Sequence, residues 1–154
     1  MYVSATNSNI ETMKHKIELT VSIYPWVDMI MFSELSAFGP LTSYSQVDTT
    51  ETENVFCELA KKHSIWIVPG SMYQTRGTEI YNTSMAINPQ GEIVARYDKL
   101  FPFFPYEEGV CAGDKFSYFD VPNVGRFGIS ICYDLWFPET ARSLVAKGVD
   151  VILH

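Results

Sequence analysis

The sequence is poor in cysteine, in positive charge and in long apolar runs, and each shortage excludes a class of protein. Its three cysteines, Cys57, Cys111 and Cys132, form no CxxC pair, so neither a disulfide framework nor a zinc site is predicted. No apolar run approaches the roughly 18 residues of a membrane helix. Lys and Arg number 11 against 18 Asp and Glu, a net charge of -7, which argues against nucleic acid and anionic membranes as partners.

Motifs for targeting and for nucleotide binding are also missing. Residues 1–7 carry no basic segment ahead of an apolar stretch, so no secretory signal is predicted. The sequence contains neither GxGxxG nor GxxxxGKS/T, the glycine-rich motifs that bind phosphate groups. With few cysteines and no signal, a reducing, cytoplasmic compartment is expected.

What the chain does contain is a globular composition with alternating helical and strand patterns. Apolar residues make up 47% of its 154 residues, which is enough for a packed core. Ser8 with Glu11 and Thr50 with Glu53 have the spacing of capping boxes, which predicts the starts of two helices, and a third helix is predicted over 138–147. The predicted strands are 27–32, 64–69, 81–87, 92–97, 116–121, 126–131 and 149–153. This alternation indicates an α/β fold with a mixed sheet.

Three chemically reactive side chains, Glu34, Lys99 and Cys132, are each predicted to follow a strand. In α/β sheets, functional residues gather beyond the carboxyl ends of the strands. A cysteine thiolate is a strong nucleophile, but it needs an activating neighbour. The three histidines lie mid-helix, at a helix end and at the last position, so a carboxylate is the better candidate for the base that activates Cys132.

The settings of Glu34, Lys99 and Tyr133 suit roles around such a nucleophile. Glu34 enters a loop of low polarity, where loss of hydration would make its carboxylate a better base. Lys99 would place a positive charge near a developing oxyanion and would favour the thiolate of Cys132. The backbone N–H of Tyr133, at the turn after the strand, is a second candidate oxyanion donor, as at other nucleophiles on strand-to-helix turns.

Each of these residues also has an ordinary interpretation, and the residue types alone do not decide between the two. A free cysteine is most often a small buried apolar residue, and this interpretation is favoured for Cys132 taken alone. A glutamate after a strand is commonly a solvated loop residue or a helix cap, and an isolated lysine is commonly a surface charge. Asp134 is predicted to be structural, as a hydrogen-bond acceptor for the turn it lies in.

Three local segments, taken in order, are more specific than the residue types. They are Phe-Ser-Glu-Leu at 32–35, Tyr-Asp-Lys-Leu at 97–100 and Gly-Ile-Ser-Ile-Cys-Tyr-Asp-Leu-Trp-Phe-Pro-Glu at 128–139. Glu34 precedes Lys99 by 65 residues, and Lys99 precedes Cys132 by 33. Asn82 in Tyr-Asn-Thr-Ser and the turn at 88–91 match the same pattern. Together they resemble the nitrilase superfamily, the carbon–nitrogen hydrolases, over nearly the whole chain.

The resemblance implies a Glu-Lys-Cys triad. Glu34 would be the general base, Lys99 the stabiliser of the tetrahedral intermediate, and Cys132 the nucleophile. Cys132 would attack the carbonyl carbon of an amide, release ammonia or an amine, and leave a thioester for hydrolysis. A second glutamate, which helps to position the substrate, is assigned to Glu107. Glu108 is the alternative, because the alignment there is ambiguous by one residue.

The residues after the nucleophile indicate a branch of the superfamily. Nitrile-cleaving members tend to have Trp-Glu there, whereas Tyr133-Asp134 resembles the amidases and carbamoyl hydrolases. A hydrolase of non-peptide carbon–nitrogen bonds is therefore expected, with a small linear amide as substrate, Tyr133 helping to position it, and no metal or organic cofactor. Three alternatives stay open: an N-carbamoyl hydrolase, a glutaminase-type member, and a truncated, non-catalytic chain of the same fold.

The resemblance also implies an architecture. Members of the superfamily fold as a four-layer α-β-β-α sandwich in a considerably longer chain. Residues 1–154 are therefore expected to be a carbon–nitrogen hydrolase domain that is incomplete at both ends, without most of the first strand and without the C-terminal half. That half would supply much of a dimer surface, so the full-length protein is expected to be a homo-oligomer.

Overall fold

A computed structural model describes residues 8–154. Residues 1–7, where no secretory signal is predicted, lie outside the described residues. The helices are α1 (Ile10–Ile23), α2 (Thr50–His63) and α3 (Pro138–Ala146), with short 3-10 helices at Thr42–Tyr44 and Cys132–Trp136. The strands are β1 (Met29–Met31), β2 (Trp66–Val68), β3 (Ser71–Arg76), β4 (Glu79–Ile87), β5 (Ile93–Asp98), β6 (Val110–Cys111), β7 (Tyr118–Val121), β8 (Gly125–Ile129) and β9 (Val151–Leu153). Within residues 8–154, no helix has both the length and the apolar character needed to cross a membrane.

The larger sheet is built around β4, its longest strand. β3 and β5 both pair with β4 in antiparallel orientation, and the β3 register places Ser71 opposite Ser84. β2 pairs with the C-terminal end of β4, where Ile67 lies opposite Ile87, and β1 runs parallel to β2. The antiparallel hairpin predicted from strands 81–87 and 92–97 is therefore confirmed as β4 and β5.

The smaller sheet contains β7, β8 and β9. β7 and β8 form an antiparallel hairpin, after which α3 carries the chain over to β9, parallel to β8. Phe127 and Ile129 of β8 pack into the core between the sheets. Gly128, between them, faces α3, where an added Cβ would come within 2.9 Å of Leu144. The missing side chain lets the helix pack closely on the outer face of this sheet.

Alternate side chains of β2 face two different cores. Ile67 packs with Met13 of α1 and Phe56 of α2, whereas Trp66 faces the smaller sheet and stacks on Phe119 with ring centroids 5.2 Å apart. This alternation follows from the period of two along a strand. The layers are therefore α1 with α2, the larger sheet, the smaller sheet, and α3, in the α-β-β-α order that the family resemblance implies.

The capping box predicted at the start of α1 is wrong. The N-cap residue is Asn9, and the Ser8 hydroxyl instead accepts the N–H of Ile10 at 3.3 Å. Glu11, the expected partner, forms an ion pair with Lys14 at 3.0 Å. An opposite charge one helical turn away binds this carboxylate in place of the cap.

The capping box predicted at the start of α2 is wrong for a similar reason. Thr49 is the N-cap, and the N–H of Thr50 donates to the carboxylate of Asp48 at 2.9 Å. Glu53 is bound by both terminal nitrogens of Arg96, at 2.7 and 2.6 Å. A bidentate guanidinium is a stronger partner for the carboxylate than a backbone N–H.

Two strands, β3 and β6, lie where the sequence predicts none. β3 is rich in polar residues, yet Ser71, Tyr73 and Gln74 are buried, and the strand pairs with β4 along its whole length. β6 runs parallel to β4 and includes Cys111, which lies outside every predicted strand. Both strands are defined by their pairing with β4 rather than by an apolar pattern of their own.

Candidate active site

The loop that carries Glu34 is held by the turn between β2 and β3. The N–H of Leu35, which has a φ of 54°, donates to Ser71 Oγ at 3.1 Å. Gly70 in the turn has a φ of 78°, and a Cβ there would lie 2.0 Å from the carbonyl oxygen of Ser33. Only glycine allows this close approach, so the turn fixes the main chain on both sides of Glu34.

Lys99 follows β5 directly and is 1% exposed. Its backbone N–H donates to the carbonyl of Asn82 at 2.9 Å, and its carbonyl accepts the N–H of Gly113 at 2.8 Å. Gly113 lies so close to β5 that a Cβ would be 2.2 Å from the carbonyl oxygen of Asp98. The main chain of Lys99 is therefore fixed on both sides, and its side chain is buried.

Cys132 is the first residue of the 3-10 helix after β8 and has a φ of 46°, a left-handed conformation that is uncommon for residues with a side chain. The buried carboxylate of Asp134 holds this turn. It accepts the N–H of Ile131 at 2.9 Å, the O–H of Tyr97 at 2.7 Å and the N–H of Phe101 at 2.9 Å. Asp134 thus ties the turn of Cys132 to β5 and to the loop after β5, and its predicted structural role is confirmed.

The side chains of Glu34, Lys99 and Glu107 come together in one hydrogen-bonded cluster. Lys99 Nζ lies 2.8 Å from Glu34 Oε1 and 2.6 Å from Glu107 Oε2. Asn82 Nδ2 donates to Glu34 Oε1 and to Glu107 Oε1, each at 2.9 Å. The O–H of Tyr73 donates to Glu107 Oε1 at 3.3 Å. Two carboxylates therefore share one ammonium group and one amide.

Of the two glutamates that the sequence offers in the loop after Lys99, Glu107 is the one in the cluster. It is 4% exposed, and the N–H of Phe103 donates to its Oε2 at 2.7 Å. Glu108 is exposed. The loop backbone and Lys99 therefore bind the same carboxylate.

Burial and hydrogen bonding act in opposite directions on the charged groups of the cluster. Burial by itself would lower the pKa of Lys99, but its hydrogen bonds to Glu107 and Glu34 outweigh burial and raise that pKa. Burial by itself would raise the pKa of Glu107, but its hydrogen bonds, above all the one from Lys99, outweigh burial and lower that pKa. At neutral pH the lysine is protonated and Glu107 is ionised.

The pKa of the Cys132 thiol is raised above its ordinary value. Although Cys132 is exposed, partial loss of hydration raises its pKa, and the negative charge of Glu34, which lines the same cavity, raises it further. Lys99 lowers this pKa, in the direction that the sequence predicts, but by less than these two effects raise it. Cys132 is therefore a neutral thiol at neutral pH, and the carboxylate of Glu34 is placed to accept its proton.

A cavity of about 350 Å³ opens beside the cluster and reaches Cys132, a size that suits a small ligand. The apolar part of its wall consists of Leu35, Pro40, Leu41, Phe103 and Tyr106. Tyr133 packs against Phe103 with ring centroids 4.7 Å apart and extends this aromatic surface. A second cavity, of about 250 Å³, also includes Glu34 and Cys132 and is bordered by residues of β1 and β9.

Tyr73 and Asn82 are cluster members to which the sequence assigns no role. They lie directly opposite each other on β3 and β4. Asn82 stands out only through its match to the family pattern, and Tyr73 has no signal of its own. Both residues could be identified from the register of β3 on β4. That register is not available from the sequence, because the sequence does not predict β3.

Comparison with known proteins decides the family. A family model described as carbon–nitrogen hydrolase matches residues 1–154. The chain belongs to the carbon–nitrogen hydrolase family. Among curated relatives, a formamidase of Bacillus cereus (strain B4264) is 32% identical and one of Bacillus thuringiensis (strain Al Hakam) is 31% identical, both over 156 residues. Each alignment covers 96% of this hydrolase-family chain and 47% of the relative, so the chain spans about half the length of the curated relatives it matches.

Solved structures share the fold of this carbon–nitrogen hydrolase chain. Nit3 of Saccharomyces cerevisiae, a member of branch 10 of the nitrilase superfamily, matches with a TM-score of 0.85 and 24% identity, over 97% of this chain and 60% of that chain. An amidase from Nesterenkonia sp. matches with a TM-score of 0.84 and 19% identity, over 99% of this chain and 61% of that chain. The predicted fold class, a nitrilase-like mixed α/β fold, is confirmed.

Proposed function

We propose that the protein hydrolyses linear amides to carboxylates and ammonia or amines, with Cys132 as nucleophile, Glu34 as general base and Lys99 as stabiliser of the tetrahedral intermediate. One observation carries the proposal: Glu34, Lys99 and Cys132 line the same cavity, and Glu34 is bound to Lys99 there at 2.8 Å. A nucleophile, a base and a cation at one cavity are what acyl transfer from an amide requires. The 32% identity to a formamidase supports an amide as the substrate.

In the acylation step, Cys132 Sγ attacks the carbonyl carbon while Glu34 takes the thiol proton. The base acts during the attack, because the thiol is neutral at rest. The carbonyl oxygen becomes negative, and Lys99 can stabilise it with the third of its N–H groups, since two bind the glutamates. The backbone N–H of Tyr133, in the first turn of a helix, is the proposed second donor to this oxyanion.

The tetrahedral intermediate then collapses and its carbon–nitrogen bond breaks. Glu34 returns the proton to the leaving nitrogen, which departs as ammonia or an amine, and a thioester remains on Cys132. Water attacks the thioester, Glu34 takes one proton from the water, and the carboxylic acid leaves as the thiol regains a proton. One amide and one water thus give one acid and one amine.

Glu107 and Tyr133 are proposed to position the substrate in different ways. Glu107 already receives hydrogen bonds from four donors, two on each oxygen, which fills the acceptor sites of a carboxylate. It is therefore proposed to act by fixing Lys99 and the Phe103 loop rather than by binding the amide directly. Tyr133 would contribute the aromatic wall, which favours a small substrate without charge.

Ammonia release from a panel of small amides by the full-length protein tests the proposal. We expect Cys132→Ala to abolish turnover, and mass spectrometry of the unaltered protein to detect an acyl adduct on the peptide that contains Cys132. Cys111→Ala, a matched change at another free thiol, should leave the rate unchanged. Turnover that survives Cys132→Ala would refute the mechanism.

The alternatives have their own outcomes in the same assay. Carbon dioxide released together with ammonia would identify a carbamoyl substrate, and glutamine as the best amide would identify a glutaminase-type member. A protein that folds cooperatively but releases nothing from any amide would support the non-catalytic chain of the same fold.

The extent of the domain and its assembly are also proposals. We propose that residues 1–154 are one part of a carbon–nitrogen hydrolase domain, because the chain spans about half the length of its curated relatives, and that the full-length protein is a homo-oligomer. Aromatic side chains near the site, Tyr106 at 78% and Trp136 at 79% exposure, favour such an assembly. Light scattering that gives a monomer mass would contradict it.

The free thiols support a reducing, cytoplasmic location.

A further inference from the structure

Asn82 contacts every charged residue of the cluster. It lies in the middle of β4 and is fully buried. Its side-chain nitrogen is 2.9 Å from one oxygen of Glu34 and 2.9 Å from one oxygen of Glu107. Its backbone carbonyl accepts the N–H of Lys99 at 2.9 Å. A neutral residue therefore connects the three groups whose charges define the site.

The orientation of the Asn82 amide follows from the charges around it. An amide has two N–H donors and one acceptor oxygen, and the reverse orientation would point that oxygen at two carboxylates. With the N–H groups on the carboxylates, Oδ1 is buried and has no hydrogen-bond partner among residues 8–154. Proteins seldom retain an unsatisfied buried acceptor without a functional reason, so the two N–H contacts are the feature to explain.

Asn82 and Lys99 donate to the same oxygen of Glu34, Oε1. This leaves Oε2 as the oxygen available for the proton of the Cys132 thiol. A carboxylate oxygen bound by one donor can still shift, whereas two donors from different directions hold that oxygen in place. The proton transfer requires that fixed geometry, since small misplacements of a reacting group cost much of the rate.

We infer that Asn82 is a positioning residue for the proposed base: it gives one N–H to each glutamate and so holds Glu34 with a single oxygen toward Cys132. The inference rests on the proposed function. Asn82 lines neither of the two cavities that reach Cys132, so it does not contact substrate. Its loss should therefore affect the chemical step and leave substrate binding nearly unchanged.

Two substitutions in the full-length protein test the inference. Asn82→Ser removes both side-chain N–H groups, and we expect kcat to fall about 10- to 100-fold while KM changes less than about threefold. Asn82→Asp keeps the size of the side chain but adds a third carboxylate, and we expect a larger loss at neutral pH.

The pH profile separates positioning from a purely structural role. The titratable side chains around Asn82 are those of Glu34, Glu107, Lys99, Tyr73 and Cys132. The N–H groups of Asn82 favour the ionised carboxylates, and Asn82→Ser lacks them. The acid limb of the kcat/KM profile should therefore move to higher pH in that variant. The matched control is Asn88→Ser, because Asn88 is a buried asparagine that binds Glu92 in the turn between β4 and β5. It should lower the Tm without moving the acid limb.

Several results would overturn the inference. The first is a kcat for Asn82→Ser within about twofold of that of the unaltered protein. The second is an Asn82→Ser variant whose acid limb does not move and whose Tm falls by as much as that of Asn88→Ser. If Asn82→Ser does not fold, Asn82→Asp decides by the same kcat criterion.

If the unaltered protein hydrolyses no amide, the proposed function fails instead. The pH midpoint for alkylation of Cys132 by iodoacetamide then decides: it should fall in Asn82→Ser, which adds no charge of its own, as Glu34 moves away from the thiol, and an unchanged midpoint counts against positioning.

Discussion

At the scale of single residues, the proton on Cys132 decides how the proposed base must act. Burial and the carboxylate of Glu34 raise the pKa of the thiol, and Lys99 offsets them only in part. We expect iodoacetamide to alkylate Cys132 with a pH midpoint above that of an ordinary thiol. Glu34→Gln should lower the midpoint, because it removes a negative charge beside the sulfur. Mass spectrometry of the peptide that contains Cys132, across a pH series, measures both.

A matched control separates this local effect from the overall charge of the protein. Glu108→Gln removes the same charge from an exposed glutamate of the neighbouring loop, and the midpoint should then stay where it is. A midpoint below that of an ordinary thiol would indicate a resting thiolate. Glu34 would in that case not need to accept the thiol proton during attack.

The residues that the sequence predicts in the site share a local signal, whereas Tyr73 has none and Asn82 has only a match to the family pattern that assigns it no role. Glu34, Lys99 and Cys132 each follow a strand and each lie in a characteristic segment, so type and position together single them out. Asn82 and Tyr73 reach the glutamates only through the register of two strands, across 48 and 34 residues of sequence. The direction in which Lys99 shifts the pKa of Cys132 is as predicted, but sequence shows only the sign of nearby charges and not the loss of hydration that outweighs Lys99.

At the scale of elements, the turn between β2 and β3 positions the loop of Glu34. Gly70→Ala would place a Cβ 2.0 Å from the carbonyl oxygen of Ser33, at a φ of 78°. Ser33 precedes Glu34, so the loop has to move before the methyl group can fit. We expect a loss of well over 2 kcal/mol in the free energy of unfolding, beyond the roughly 1–2 kcal/mol that a left-handed residue costs by itself, together with a fall in kcat. Urea unfolding and the amidase assay measure the two effects.

Gly77→Ala is the matched control for that turn. Gly77 also has a positive φ, of 66°, but nothing lies within 4 Å of its added Cβ. It should show only the backbone cost of about 1–2 kcal/mol and unchanged kcat. Equal losses in the two variants would mean that the close approach to Ser33 does not position the loop.

The elements themselves were predictable where an apolar pattern defines them. The helices and the β4–β5 hairpin follow their patterns closely, because each buries one continuous face. Both capping boxes fail because the expected glutamates, Glu11 and Glu53, are bound by Lys14 and Arg96. β3 was not predictable, since a polar sequence becomes a strand there only through pairing with β4.

At the scale of the whole molecule, the cluster and the nucleophile belong to different sheets. Lys99 follows a strand of the larger sheet and Cys132 follows a strand of the smaller one. Asp134 bridges them by accepting hydrogen bonds from both sides. Alignment of the two sheets is therefore a condition for the site to form.

The order of the layers could be predicted only from the family resemblance, because composition and periodicity indicate no more than a mixed α/β fold.

The acid stability of the molecule should depend on Glu107. Its pKa is lowered in the folded state, with the hydrogen bond from Lys99 as the main favourable cause against the opposing effect of burial. A lowered carboxylate pKa gives stabilisation that is complete above about pH 4.5, the ordinary value, and is lost as the pH falls through the folded-state pKa. Glu107→Gln lacks this contribution. We expect it to be less stable at neutral pH and to lose less stability between pH 4.5 and more acid conditions.

Urea unfolding across a pH series measures both parts of this expectation, and the adjacent residue supplies the control. Glu108→Gln removes the same charge from an exposed side chain, so its free energy of unfolding should follow that of the unaltered protein at every pH. If the two variants give parallel curves, the ion pair of Glu107 with Lys99 does not stabilise the folded molecule. In that case the four hydrogen bonds to Glu107 would only offset the cost of burying its charge, a balance that buried ion pairs often reach.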